Sequence, residues 1–98
     1  MTSTLKSGDA FFRALYAHNR AEETYRRTQA DCAYAWNAYE VARGRAAKAD
    51  LGSDSAEVAI RDAAMAIYDR AYDADDHAGN AYFRARRALE AARAAYED

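Results

Sequence analysis

Proline is absent from this 98-residue sequence, and cysteine occurs only once, as Cys32. Without proline, no position is barred from the interior of a helix, and the abundance of alanine, arginine, glutamate and aspartate favours an all-helical chain. A lone cysteine excludes a disulfide within the chain and is typical of a reducing compartment. Because the length suits one domain, we expect a single helical domain over residues 1–98.

Long apolar runs and a strong net charge are also lacking. No stretch approaches the ~20 apolar residues of a membrane-spanning helix, and Met1 to Asp9 lacks the apolar core of a signal peptide. The formal net charge of −2 gives no field that would draw the chain to nucleic acid or to an anionic membrane. We therefore expect a cytoplasmic protein that binds neither a membrane nor nucleic acid directly.

Alanine at heptad spacing is what the sequence has in abundance. Alternating steps of four and three residues from residue 60 to residue 95 reach only apolar side chains, and nine of the eleven are alanine. These positions are Ile60, Ala64, Ile67, Ala71, Ala74, Ala78, Ala81, Ala85, Ala88, Ala92 and Ala95. The spacing predicts a coiled-coil seam on one long helix from about residue 55 to 96. Small seam residues imply that the partner helix lies close.

A second seam of the same spacing precedes the first. It consists of Phe11, Ala14, His18, Ala21, Tyr25, Thr28, Cys32, Ala35, Tyr39, Ala42, Ala46 and Ala49. This run predicts helix 1 from about residue 8 to 50, with Gly44 as an exposed weak point inside it.

The strongest turn signal lies between the two seams. Gly52 suits the left-handed conformation that ends a helix, and Asp54 with Glu57 resembles a capping box, so we expect a turn over residues 51–54. Gly79 is a second candidate break, which would give a three-helix fold instead. The favoured fold is all-α: a long antiparallel two-helix hairpin, an alanine-rich coiled coil in which paired residue numbers add to about 106.

The twelve aromatic residues are more than a seam of alanine can cover. Tyr68, Tyr82, Leu89 and Tyr96 recur at multiples of seven beside the predicted seam, and Trp36 lies off the seam of helix 1. Such rings would either close a four-helix arrangement of two hairpins, as a homodimer, or contact a foreign partner.

Candidate reactive groups give little support for catalysis. Cys32 lies on the seam, where a cysteine is usually a small buried hydrophobe, and His18 has Glu22 one turn away but no nucleophile beside it. Asp73 and His77 could share a metal ion, but a solvated acidic stripe is the simpler interpretation. We expect no catalytic residue, no metal and no cofactor, and therefore no enzyme; a metal-dependent enzyme is the most distant alternative.

Acidic residues form the favoured binding surface. Asp62, Asp69, Asp73 and Asp76 fall on one face of helix 2, together with Tyr68 and Tyr72. Carboxylates in a row with aromatic rings can imitate a phosphate backbone and occupy a cationic groove. Residues 31–76 carry five basic and ten acidic side chains, whereas the flanking segments carry nine and six. We predict that these six residues bind a partner.

In composition and size, the stretches Ala33 to Tyr39, Ala63 to Tyr72 and Ala78 to Tyr96 resemble the alanine- and tyrosine-rich helical proteins of bacteriophages and mobile elements, among them anti-CRISPR proteins. The resemblance implies an inhibitor or adaptor that binds a larger host protein or nucleoprotein complex of nucleic-acid-handling defence, in the host cell cytoplasm. It carries no functional residue to this chain. The competing interpretation is a purely structural homo-oligomer.

Overall fold

The computed structural model describes residues 2–49 and 56–97, with side chains from residue 8 onward. Two helices, α1 (Thr2–Ala49) and α2 (Ala56–Glu97), account for all of the described chain, which contains no strand. They pack against each other as a hairpin, which confirms the predicted fold class. α1 begins earlier than the expected start near residue 8, and the turn predicted around Gly52 lies outside the described residues.

Each helix contributes to two compact units. Residues 1–26 and 77–98 form the first unit, and residues 27–76 form the second. The first unit carries eight basic and six acidic side chains, for a net charge of +2, whereas the second carries six and ten, for a net charge of −4. The charge difference inferred from the sequence therefore coincides with the division into units.

The seam of α1 is confirmed at all twelve predicted positions. Each of them, from Phe11 to Ala49, is buried or half-buried, and Ala35, Ala42 and Ala46 are the most deeply buried residues of the helix. Glycine at position 44 is exposed, as expected, with no heavy atom within 4 Å of where a Cβ would lie. The 4-3 spacing therefore located this interface correctly.

The seam of α2 is only half as predicted. The alanine column is buried or half-buried as expected: Ala64, Ala71, Ala78, Ala85 and Ala92. The second column of the interface lies one residue further along the chain than the predicted second column. It consists of Arg61, Tyr68, Asp75, Tyr82 and Leu89. In the predicted second column Ile60 and Ile67 are 53% and 52% exposed, and Ala74, Ala88 and Ala95 are also exposed, whereas Ala81 is half-buried as expected. The prediction was wrong there because either column completes a 4-3 pattern with the same alanines.

At Thr28 the pairing across the seam also differs from the prediction, by three residues. Thr28 was expected opposite Ala78, but its Oγ1 donates a hydrogen bond of 2.9 Å to Oδ1 of Asp75. In the second unit this bond joins two half-buried polar side chains across the seam. A polar pair of this kind can fix the alignment of two helices, because other alignments leave its members unsatisfied.

Gly79 does not end a helix, because α2 continues through it. In the first unit, the ring of Tyr25 lies so close to this buried glycine that an added Cβ would be 3.2 Å from Cε1 and 3.3 Å from Cζ. Glycine therefore gives Tyr25 room to pack directly on the α2 backbone. The three-helix alternative is excluded for the described residues.

The buried apolar core is small. Among the described residues, only Ala35, Ala42, Ala46, Ala78 and Leu89 are buried apolar residues. Eleven large apolar or aromatic side chains are at least 40% exposed. The hairpin therefore leaves much apolar area uncovered.

Candidate partner-binding surface

Four aromatic rings meet in the second unit. The ring centroid of Trp36 lies 5.1 Å from that of Tyr68 and 5.7 Å from that of Tyr39, and Tyr68 lies 6.2 Å from Tyr72. All three pairs are tilted, in the range of distances at which aromatic pairs attract. We call Trp36, Tyr39, Tyr68 and Tyr72 the Trp36 cluster.

Heptad position explains why these rings meet. Trp36 directly follows Ala35 on α1, and Tyr72 directly follows Ala71 on α2. The two rings therefore flank the same side of the seam, where small alanines let the helices approach each other. Tyr68 occupies the interface column itself and links the two.

The cluster is partly open to solvent. Trp36 is 44% exposed and Tyr72 is 56% exposed, while Tyr39 and Tyr68 are half-buried beneath them. Met65, one heptad before Tyr72, is also exposed. Tryptophan and tyrosine that are anchored on one edge and open on the other are the side chains that dominate protein-binding hot spots.

The hydroxyl of Tyr68 lies in a partly buried environment. Partial burial raises the pKa of its hydroxyl, and Cys32, Tyr72 and Asp69 raise that pKa further. A tyrosine hydroxyl is protonated at neutral pH in any case, and the raised pKa moves its titration further from neutrality. Asp69 is therefore within electrostatic reach of Tyr68.

The predicted acidic face is exposed along its whole length, at Asp62, Asp69, Asp73 and Asp76. Asp62 accepts two hydrogen bonds from Arg61, of 2.9 and 3.1 Å. Within the described part of the chain, the other three carboxylates make no ion pair. Unpaired exposed carboxylates are available to a cationic partner at little desolvation cost.

The six predicted site residues therefore fall into two groups. The four aspartates and Tyr72 lie on the surface, whereas Tyr68 lies half-buried in the hairpin interface and supports Tyr72 and Trp36. Sequence reasoning omitted Trp36 from the site. The correct α2 column would have revealed it, because Trp36, Met65 and Tyr72 then share one flanking position beside the seam.

The first unit has its own rings. Phe11 stacks on Tyr96 with centroids 5.0 Å apart, and Tyr82 lies 5.3 Å from His18 and 5.5 Å from Tyr25. A groove of about 360 Å³ is lined by His18, Tyr82, Arg86, Leu89, Glu90 and Arg93. Nδ1 of His18 is buried without a hydrogen-bond partner.

Most arginines of the first unit with a described partner form pairs within their own helix. Arg13 pairs with Asp9 at 2.9 Å, Arg26 with Glu22 at 3.2 Å and Arg86 with Glu90 at 3.4 Å. These pairs have the one-turn spacing at which side chains of a helix meet. They offset part of the positive field of this unit, which lowers its attraction for phosphate groups.

The candidate reactive groups differ in their exposure to solvent. Cys32 is half-buried on the seam, while Asp73 and His77 are both exposed. Across residues 2–49 and 56–97, no three histidine, cysteine, aspartate or glutamate side chains are grouped to hold a metal ion.

No protein-family model, curated protein or solved structure matches this chain. In the two described helices, no segment is both long and apolar enough to span a bilayer.

Proposed function

We propose that this chain is a non-enzymatic inhibitor or adaptor that binds a larger protein. Its contact surface consists of Trp36, Met65 and Tyr72 together with the acidic face Asp62, Asp69, Asp73 and Asp76. The observation that carries the proposal is the Trp36 cluster, in which two exposed rings rest on two half-buried ones.

Preorganisation supports the proposal. Trp36 and Tyr72 project from helices, and their contacts with Tyr68 restrict their rotamers before any partner arrives. Rings that are already ordered lose less conformational entropy on binding, so a small patch can bind tightly. Four aspartates beside the rings add steering toward a positively charged surface.

Charge defines the proposed class of partner. A surface that binds nucleic acid is basic and often contains grooves shaped for a row of phosphates, and a row of carboxylates beside rings would compete for it. The proposed partner is accordingly a nucleic-acid-handling protein or nucleoprotein complex of host defence, as for anti-CRISPR proteins of phages. The proposed place of action is the host cytoplasm, where the single thiol of Cys32 stays reduced.

A capture experiment with matched variants tests this proposal. Immobilised wild type is compared with Tyr72→Ala, with Asp69→Lys/Asp73→Lys and with the control Tyr16→Ala, which removes a similarly exposed tyrosine from the first unit. We expect the control to retain a partner that both other variants lose. Retention of the same partner by all four proteins would overturn the proposed surface, and recovery of no partner by wild type would favour a structural role.

A structural homo-oligomer is the second candidate function. The observation that favours it is a separate exposed apolar surface on α2, which contains Ile60 and Ile67. This surface lies across the seam from the Trp36 cluster, so the two candidates can be tested independently.

A further inference from the structure

An aliphatic surface remains uncovered in the second unit. On α2 it contains a large residue every seventh position, Ile60 and Ile67, flanked by small ones at Ala56, Ala63 and Ala74, and all five are exposed. In chain order, Ala56, Ile60, Ala63 and Ile67 are separated by four, three and four residues, which is again the spacing of a coiled-coil seam. We call these five residues the aliphatic face.

The aliphatic face and the Trp36 cluster lie on opposite sides of the hairpin seam. Around the axis of α2, Ile60 and Ile67 precede the alanine column of Ala64 and Ala71 by four residues, whereas Met65 and Tyr72 follow it by one. On a helix of 3.6 residues per turn these positions fall on the two flanks of the alanine column. α1 adds the exposed side chains of Tyr34 and Val41 toward the side of the aliphatic face.

We infer that a second copy of this chain covers the aliphatic face, giving an antiparallel four-helix dimer. The Trp36 cluster stays outside this dimer interface. The inference does not rest on the proposed partner-binding function, because it uses a different surface and a different occupant.

The pattern of large and small residues supports a second copy as the occupant. If two α2 helices pair antiparallel about a two-fold axis near residue 65, Ile67 of one copy meets Ala63 of the other, and Ala56 meets Ala74. Ile60 then lies along the aliphatic stem of Arg70 in the other copy. One helix therefore supplies both the knobs and the holes, which an isologous two-fold interface requires.

Charge and area agree with this occupant. Within residues 56–74, the face contains no charged side chain apart from the neighbouring Arg70, and depletion of charge is the mark of an interface core. Ile60 and Ile67 are 53% and 52% exposed, and this apolar area is what a second copy would bury.

Sedimentation equilibrium with matched variants tests the inference. We expect a dimer for wild type, a monomer for Ile60→Asp/Ile67→Asp, and a dimer for Met65→Asp, which places a charge on the opposite flank of α2. Circular dichroism checks that each variant keeps its helix content, as substitutions at exposed positions should. A monomeric wild type, or a dimer that survives the double substitution, would overturn the inference.

A mixing experiment tests the antiparallel register. Chains carrying Ala63→Cys and chains carrying Ile67→Cys, both in a Cys32→Ser background, are oxidised separately and together. Since residue 63 is expected to face residue 67 of the second copy, the mixture should give at least several-fold more cross-linked dimer than either solution alone. Equal cross-linking in all three solutions would rule out this register, and no cross-linking in any of them would rule out the contact.

The two proposals can fail separately. If the Ile60→Asp/Ile67→Asp monomer still captures the partner that Tyr72→Ala loses, the binding surface stands without the dimer. If Tyr72→Ala remains a dimer, loss of partner binding cannot be attributed to loss of the second copy.

Discussion

The interface of α1 followed from its sequence at every position, whereas that of α2 followed at only half. In α1, the column beside the alanines contains Phe11, Tyr25 and Tyr39, and the alternative column is interrupted by Asp31 and Arg45. In α2 the situation is reversed. The correct column contains Arg61 and Asp75, while the wrong one is apolar throughout. Apolar spacing thus locates an interface only when a single apolar column is available.

The largest effect is expected from truncating two side chains of similar size, one in each of the two α2 columns. Leu89 is 7% exposed and Ile67 is 52% exposed. We expect Leu89→Ala to lower the free energy of unfolding by about 2–4 kcal/mol through lost burial and the remaining cavity. Ile67→Ala should cost less than about 1 kcal/mol in dilute solution, where a second copy is dissociated. Urea unfolding measures both free energies. Equal losses would show that Ile67 is as buried as Leu89, as the sequence predicted.

Enlarging one alanine of the alanine column and one alanine of the wrongly predicted column should give the next largest difference. Ala78 is buried against α1, whereas Ala88 is exposed. Ala78→Leu should cost about 1–3 kcal/mol because the helices must separate to accommodate it. Ala88→Leu should change stability by less than about 0.5 kcal/mol, as exposed substitutions usually do. Thermal unfolding of the pair is sufficient, and a tolerated leucine at position 78 would contradict the close approach of the helices.

A moderate effect is expected from the polar pair that misled the sequence interpretation of α2. Thr28→Val removes the donor to Asp75 and leaves a part-buried carboxylate without it, which should cost about 1–2 kcal/mol. The double variant Thr28→Val/Asp75→Leu should regain most of this loss, because it replaces both polar groups with apolar ones.

A double-mutant cycle completed with Asp75→Leu alone measures the coupling of these two residues. Independent, additive effects would show that Thr28 and Asp75 do not depend on each other for stability. In that case the polar residues of the α2 column would need another explanation.

The smallest expected effect compares two glycines. Both Gly44→Ala and Gly79→Ala should gain up to about 1 kcal/mol of helix propensity. At Gly44 nothing lies within 4 Å of the new Cβ, but at Gly79 the ring of Tyr25 must shift. We therefore expect Gly44→Ala to stabilise the protein and Gly79→Ala to gain clearly less or to destabilise it. When Tyr25 is first replaced by alanine, Gly79→Ala should stabilise the protein about as much as Gly44→Ala does.

The sequence was sufficient for the helices, for their pairing and for the exposure of the acidic face. Helix propensity, the absence of proline and the alanine column are local or periodic signals that do not depend on three-dimensional detail. The Trp36 cluster was not predicted, because its members are assembled by the register, and the register depends on single contacts. Two such contacts are those of Thr28 with Asp75 and of Tyr25 with Gly79. Each includes a residue, Asp75 or Gly79, that does not fit an apolar helical pattern.

Small seam residues also have a consequence for how the chain folds. Alanine recurs every seven residues, so helices displaced by one heptad would bury nearly the same apolar area, and such slipped hairpins are competitors on the folding landscape. A slipped chain would place Tyr25 over Tyr72 or Arg86 instead of Gly79, and Thr28 beside Tyr68 or Tyr82 instead of Asp75. We expect these mismatches to make slipped hairpins short-lived. Substitutions that remove the mismatches should therefore add a slow refolding phase, because trapped hairpins must reopen before they refold.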